Sequence, residues 1–260
     1  MDFKIKKRGQ ITIFIIIGLI LISAVVMFFL FQGQKGIETT GKPEENIESF
    51  LNSCLKDKIK NAIEDISIHG GFLDGSLNLN FQFQNEAARN ITYLCYTQNY
   101  YVLCVNQKPM FYQDLKSEIK NYIFYDVQNC FDEMTENFAR KRYKIETDYR
   151  DFSVDFLPKR VIIQTDSKVT LTASEETTKE ENFKITVASR FYEIVTLVQE
   201  LVNEEAQFCY TESVGIMLLY PEFSVEKFKT QDSIIYTVEY LESKERFRFA
   251  VRGCVIPPGF

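Results

Sequence analysis

An α+β protein carried on an N-terminal transmembrane helix is what this sequence predicts, and three observations predict it. An uncharged apolar run begins at Ile11 and ends at Phe31, directly behind Lys6-Lys7-Arg8. Beyond it, stretches with apolar residues at helical spacing are interleaved with short stretches of two-residue alternation. All six cysteines also lie beyond the run, an even set available for pairing. The expected architecture is a disulfide-containing extracytoplasmic α+β region built as two small helix-on-antiparallel-sheet units. Its divisions are a cytoplasmic basic N-terminus (1–10), a transmembrane helix (11–31), a linker (32–43) and two α+β domains (44–145 and 146–260).

The apolar run holds about 21 residues, softened only by Thr12, Gly18 and Ser23. At about 1.5 Å of rise per residue it makes a helix about 32 Å long, enough to cross a hydrocarbon core. Lys4, Lys6, Lys7 and Arg8 precede it against Asp2 alone, a net +3. The whole chain carries −6, so taking that +3 away leaves −9 for the remainder. Basic residues beside a span stay in the cytoplasm. The expectation is therefore a single-pass protein of the cell membrane, N-terminus cytoplasmic and bulk extracytoplasmic. A released secretory protein has a shorter apolar core and a small-x-small site behind it, whereas Gln32-Gly33-Gln34 follows here.

Residues 32–43, QGQKGIETTGKP, are polar and glycine-rich and read as a tether. Pro43 suits a first helical turn, and Glu44 and Glu45 suit the positive end of the helix dipole. The helix expected over 44–68 repeats Ile47, Leu51, Cys54, Leu55, Ile59 and Ile63 at three and four, with Lys56, Lys58, Lys60 and Asp65 on its other face. His69-Gly70-Gly71 ends it as a glycine cap does. Residues 77–83 alternate strictly and read as a half-buried strand. Residues 93–96 and 100–105 read as a hairpin around Thr97-Gln98-Asn99.

A second helix is expected over 113–140, its stripe running from Leu115 through Ile119, Ile123, Val127 and Cys130 to Phe138. Strands follow over 152–157, 160–165 and 168–173, with Asp166-Ser167 as a tight turn between the last two. Residues 174–182, SEETTKEEN, read as an exposed hairpin tip, and 183–188 as the return strand. A helix over 189–206 and strands over 214–219, 223–229, 234–241 and 246–251 complete the chain.

Six cysteines permit fifteen connectivities, and the pattern favours one. Cys54 and Cys130 each sit on the apolar stripe of a helix, so packing of the two helices brings them together. Cys95 and Cys104 flank the same hairpin turn, and Cys209 and Cys254 bracket the last sheet block. Six reduced core thiols are the alternative, which requires a reducing compartment. With no C-x-x-C and one histidine, no zinc site is expected.

At Lys7-Arg8-Gly9-Gln10-Ile11-Thr12 the chain resembles an archaeal class III signal of the type IV pilins. That resemblance implies a cut after Gly9 by a prepilin peptidase, with Gln10 heading a mature helix that packs in a filament core. Many such pilins carry a glutamate five residues into the mature chain, where this sequence has Phe14. A plain basic flank before an anchor is the other reading. The RGQITIFIIIGL anchor, the Cys54 helix ending in His69-Gly70-Gly71-Phe72, and residues 121–130 also resemble uncharacterised membrane-anchored proteins of small-genome archaea. This resemblance implies location and architecture and no activity.

His69 stands at a helix end beside two glycines, with no nucleophile elbow in the sequence to serve. Ser53-Cys54-Leu55-Lys56 matches S-x-x-K, yet no S-D-N or K-T-G box follows. Glu175, Glu176, Glu180 and Glu181 fit a solvated loop better than a calcium cradle, because the glycine-centred spacing of such loops is missing. No glycine-rich phosphate loop occurs, and the acidic balance disfavours nucleic acid. Tyr96, Tyr100, Tyr101, Phe111 and Tyr112 fit core filling in a chain with 23 Phe, 14 Tyr and no Trp. Asn90-Ile91-Thr92 is an N-x-[ST] sequon, so Asn90 is a candidate glycan acceptor.

No catalysis, cofactor or metal is expected. The expected role is a membrane-anchored cell-surface protein with structural, adhesive or pilin-like filament work. Its expected partners are the lipid bilayer and like subunits or another envelope protein. A surface receptor or binding module for a protein or envelope ligand is the alternative.

Overall fold

A computed structural model describes residues 46–75, 77–84, 86–173 and 176–257, together with Gly18, Ile22 and Ser23. The remainder of the expected anchor, the Gly9-Gln10 junction, the tether and Pro43 lie outside the described residues. Among the described residues, no helix is long and apolar enough to cross a membrane.

Glu45–Phe260 forms one compact unit of mixed α+β structure, not the two serial domains expected from the sequence. Helix α1 (Ile47–Ile68) starts on Asn46, whose side chain accepts a hydrogen bond from the Glu48 amide at 2.8 Å. Helix α2 (Phe111–Arg140) lies against it, joined by the Cys54–Cys130 disulfide with Cα atoms 6.0 Å apart. Two sheets flank the helices. The first contains β1 (Asn78–Phe81), β2 (Arg89–Tyr96), β10 (Arg246–Arg252), β9 (Ile234–Tyr240) and β8 (Phe223–Lys229) in that order, with β3 (Val105–Asn106) also on β2. The second contains β4 (Lys144–Leu157), β5 (Arg160–Ala173), β6 (Glu176–Glu181) and β7 (Lys184–Ala188).

A shared core is the physical reason for the single unit. Helix α1 touches β7 of the second sheet and β10 of the first, and α3 (Phe191–Phe208) touches strands of both. One continuous apolar cluster runs from Ile47 through Phe138 and Ile163 to Val251. The decisive pairing is β10 beside β2, which is parallel although antiparallel sheets were expected. It sets Val251 beside Cys95, a contact that no local pattern encodes. Just beyond the end of α1, Gly71 adopts φ +92, and a Cβ there would meet Leu115 Cδ2 of α2 at 2.6 Å.

Four element readings need correction. Asp166-Ser167 is no turn, since β5 runs through it unbroken. There β5 changes partner from β7 to β6, and Thr165 and Ser167 satisfy their buried hydroxyls on each other at 2.8 Å. The acidic stretch 174–182 is no bare tip, because Glu176–Glu181 is strand β6, paired to β5. Residues 100–105 contribute only the two-residue β3, the rest being loop. The strand expected over 214–219 is helix α4 (Ser213–Leu219), capped by the Glu212 side chain on the Val214 amide. Leu and Met favour a helix, and only Ile216 of this segment is buried, so period-two burial has nothing to act on.

A strap crosses the outer face of the first sheet. Phe81 and Phe83 meet Phe228 with ring centroids 4.9 and 5.9 Å away, covering Ile91, Tyr93, Ile235 and Ala250. Glu86 fastens the strap by accepting two hydrogen bonds from the buried Arg248 guanidinium, at 2.6 and 2.9 Å. Those bonds hold the Glu86 carboxyl down at about 2, below its ordinary 4.5. A depressed folded pKa contributes stability that is complete above pH 4.5 and lost as pH falls through about 2. Glu86→Gln is expected to cost about 3 kcal/mol at neutral pH, because Arg248 stays buried without its counter-charge. Urea midpoints between pH 5 and pH 2 check this: the wild-type minus Glu86→Gln difference should shrink toward the acid end.

Candidate functional site

Two places in the body present chemistry to solvent. One is a corner at which two disulfides meet. After β2 the loop 97–104 is closed by Cys95–Cys104, Cα atoms 5.3 Å apart. Helix α3 ends in Cys209, left-handed at φ 54, which bonds to Cys254 just beyond β10. The Cys254 amide donates to the Val102 carbonyl at 2.8 Å, and the Tyr101 amide to the Val255 carbonyl at 3.0 Å. Gly253 lies so close to Cys104 that a Cβ would sit 3.0 Å from the Cys104 Cβ. These links expose Tyr101 (62 %), Phe208 (68 %), Tyr210 and Ile256 around one corner, and Leu218 (79 %) and Leu219 are exposed on α4, which follows in the chain.

Behind the corner lies a sealed polar group. Tyr236, stacked on Phe249 at 5.0 Å, donates its hydroxyl to the buried Glu205 carboxylate. Burial first, and that hydrogen bond second, push the Tyr236 phenol well above its ordinary range. Lys227 donates to the Thr211 carbonyl and stands 4.9 Å over the Tyr210 ring, and burial lowers its pKa. With no solvent access to Tyr236, this network fastens the last turn of α3 to the sheet.

The second place is a cleft of about 490 Å³. Lys60, Ile63, Glu64 and Ser67 of α1 line one wall, the β7–α3 junction a second, and the β9–β10 turn the third. Ile63, Phe191 and Ile194 make an apolar floor. At its rim the Glu245 carboxylate accepts from Ser189 Oγ at 2.5 Å and from the Arg190 amide at 3.0 Å, so it caps α3. Arg190 in turn lies 4.7 Å over the Tyr240 ring.

The residues singled out from the sequence fall as follows. The structure joins Cys54 to Cys130, Cys95 to Cys104 and Cys209 to Cys254, the pairings read from the pattern. His69 caps α1, its Nδ1 2.6 Å from the Asp65 carbonyl, and enters neither the corner nor the cleft. Ser53 donates to the Phe50 carbonyl at 2.8 Å, and its neighbour Cys54 is disulfide-bonded. Glu176, Glu180 and Glu181 are spread along β6, and Glu175 lies outside the described residues. Among the described residues, no group of three or more His, Cys, Asp or Glu is placed to hold a metal. Asn90 is exposed on β2 and accepts from Asn80 at 2.8 Å.

The aromatic residues expected to fill the core divide. Phe111 is buried, Tyr96 and Tyr112 are half-buried, and Tyr100 and Tyr101 are exposed at the corner. Leu218 and Leu219 belong to a stretch the sequence reads as strand, and Phe208 and Tyr210 fall between the helix and strand it predicts, so none carries a signal of exposure. The cleft had no sequence signal at all. Its α1 wall stands more than a hundred residues before the other two, so no local pattern joins them.

Comparison with known proteins adds no relative. No family model matches this chain, and no curated protein does.

Proposed function

We propose that this chain is a single-pass membrane-anchored cell-surface protein with a structural or adhesive role and no catalysis. In this reading the run from Ile11 to Phe31 crosses the bilayer, the basic N-terminus stays in the cytoplasm, and the body works outside. The observation that carries it is the disulfide set: all six cysteines of a body preceded by an apolar run are paired. Such a complete set belongs to an oxidising compartment. The sealed Tyr236–Glu205 network and the capping roles of His69 and Glu245 support a body built for rigidity. Like subunits or another envelope protein are the partners this role requires.

Labelling intact cells tests the reading. A membrane-impermeant maleimide should leave the chain unmodified, then modify it at the body's cysteines after brief surface reduction. Modification that needs cell lysis, with or without reductant, would place the body inside and end the proposal. The filament form of the reading requires processing at Gly9–Gln10, which intact-mass measurement decides. A mature chain that still starts at Met1 removes that form and leaves the anchor.

A receptor or binding module is the second reading, favoured by the exposed side chains of the disulfide corner. A Phe208→Glu/Leu218→Glu variant, displayed at wild-type surface level, is then expected to lose attachment to its partner.

A further inference from the structure

We propose that the cleft between α1, the start of α3 and the β9–β10 turn binds short zwitterionic peptides with apolar side chains, of about two residues. The cleft holds five charged groups, and three are already committed. Lys244 pairs with Glu239 at 3.0 Å, Arg246 with Glu86 at 3.6 Å, and Glu245 with Ser189 and the Arg190 amide. Lys60 and Glu64 remain. Neither makes an ion pair or hydrogen bond among the described residues, although they stand four apart on one helix face.

Their opposite charges on one wall suit a ligand that carries both an ammonium and a carboxylate. Four helical residues put the two side-chain roots about 6 Å apart along the axis. The ends of an extended dipeptide are separated by nearly the same span, since one Cα–Cα step of about 3.8 Å is lengthened by a bond at either end. The ligand carboxylate binds the Lys60 ammonium, its α-ammonium binds the Glu64 carboxylate, and its side chains lie on Ile63, Phe191 and Ile194.

Ser67 supplies the independent observation. It is 3 % exposed, lines the cleft, and has no hydrogen-bond partner for its hydroxyl among the described residues. A buried helical serine ordinarily bonds back to the carbonyl four residues earlier, so a hydroxyl that lines the cleft with no protein partner is open to a ligand. A peptide N–H or C=O in the cleft satisfies it. The volume of about 490 Å³ falls within the range of small-molecule sites, and the three converging elements set an apolar floor beneath a polar and charged rim. The proposal stands whether or not the chain is anchored in a membrane.

Calorimetric titration of the full chain in detergent tests it, with leucyl-leucine, its N-acetyl form and its C-terminal amide as probes. Saturable one-to-one binding of leucyl-leucine is expected, weakened about tenfold or more by blocking either end. Lys60→Met should weaken leucyl-leucine by a similar factor and abolish the difference between acid and amide. Glu64→Gln should do the same for the free and acetylated forms. Both side chains are on the surface, so unchanged thermal midpoints should accompany these losses. Absence of saturable binding at millimolar peptide overturns the proposal. So does binding indifferent to the blocked ends or to both substitutions.

Discussion

Removing the Cys54–Cys130 bond with Cys54→Ala/Cys130→Ala is expected to lower stability by about 4 kcal/mol, the largest effect of any disulfide here. The bond closes a loop of 76 residues, against 9 and 45 for the other two. Cross-link stabilisation in the chain-entropy account grows with loop length, because a longer closed loop denies the unfolded chain more conformations. Cys130 is also fully buried between α1 and α2, so the variant loses packing as well. For a body of this size the change corresponds to about 8 to 16 °C in melting temperature. Denaturant titration of wild type and variant checks it, with the slope as a second readout. A rise in slope would show that the unfolded chain has expanded once released.

Phe247→Ala is expected to cost about 3 to 5 kcal/mol, and its larger interest lies in how the protein then unfolds. Phe247 is fully buried on β10, with ring centroids 5.9 Å from Phe111 and 6.4 Å from Phe191. It therefore stands where the first sheet meets both α2 and α3. Its removal opens a cavity at a junction that two sheets and three helices share, and rigid walls limit collapse. One cooperative transition is expected before and after the change, shifted as a whole. Two serial domains would instead give two transitions, one of them insensitive to Phe247→Ala. Calorimetry distinguishes the outcomes.

Legibility of this chain followed the range of the forces involved. Helices α1, α2 and α3 were readable because 22, 30 and 18 residues of three-and-four spacing outlast any competing pattern. The disulfide pairs were readable for a related reason: Cys54 and Cys130 sit on stripes that must be buried, and Cys95 and Cys104 are 9 residues apart. Asp166-Ser167 misled because polar residues normally mark turns, whereas here Thr165 and Ser167 satisfy each other inside a strand. Seven residues of α4 are too few for a period to declare itself, and its exposure to solvent removed the burial contrast that would have done so.

Taken alone, the sequence determined the long amphipathic helices and the mixed α+β class, and it favoured one partner for each cysteine. These depend on periodicity within a segment and on which face must leave water. Tertiary structure alone decided that the body is one unit, that β10 lies parallel to β2, and that Lys60, Glu64 and Ser67 face Phe191 and Glu245 across a cleft. Those arrangements arise from contacts between residues far apart in the chain, selected by how whole faces fit together. No single segment contains that information.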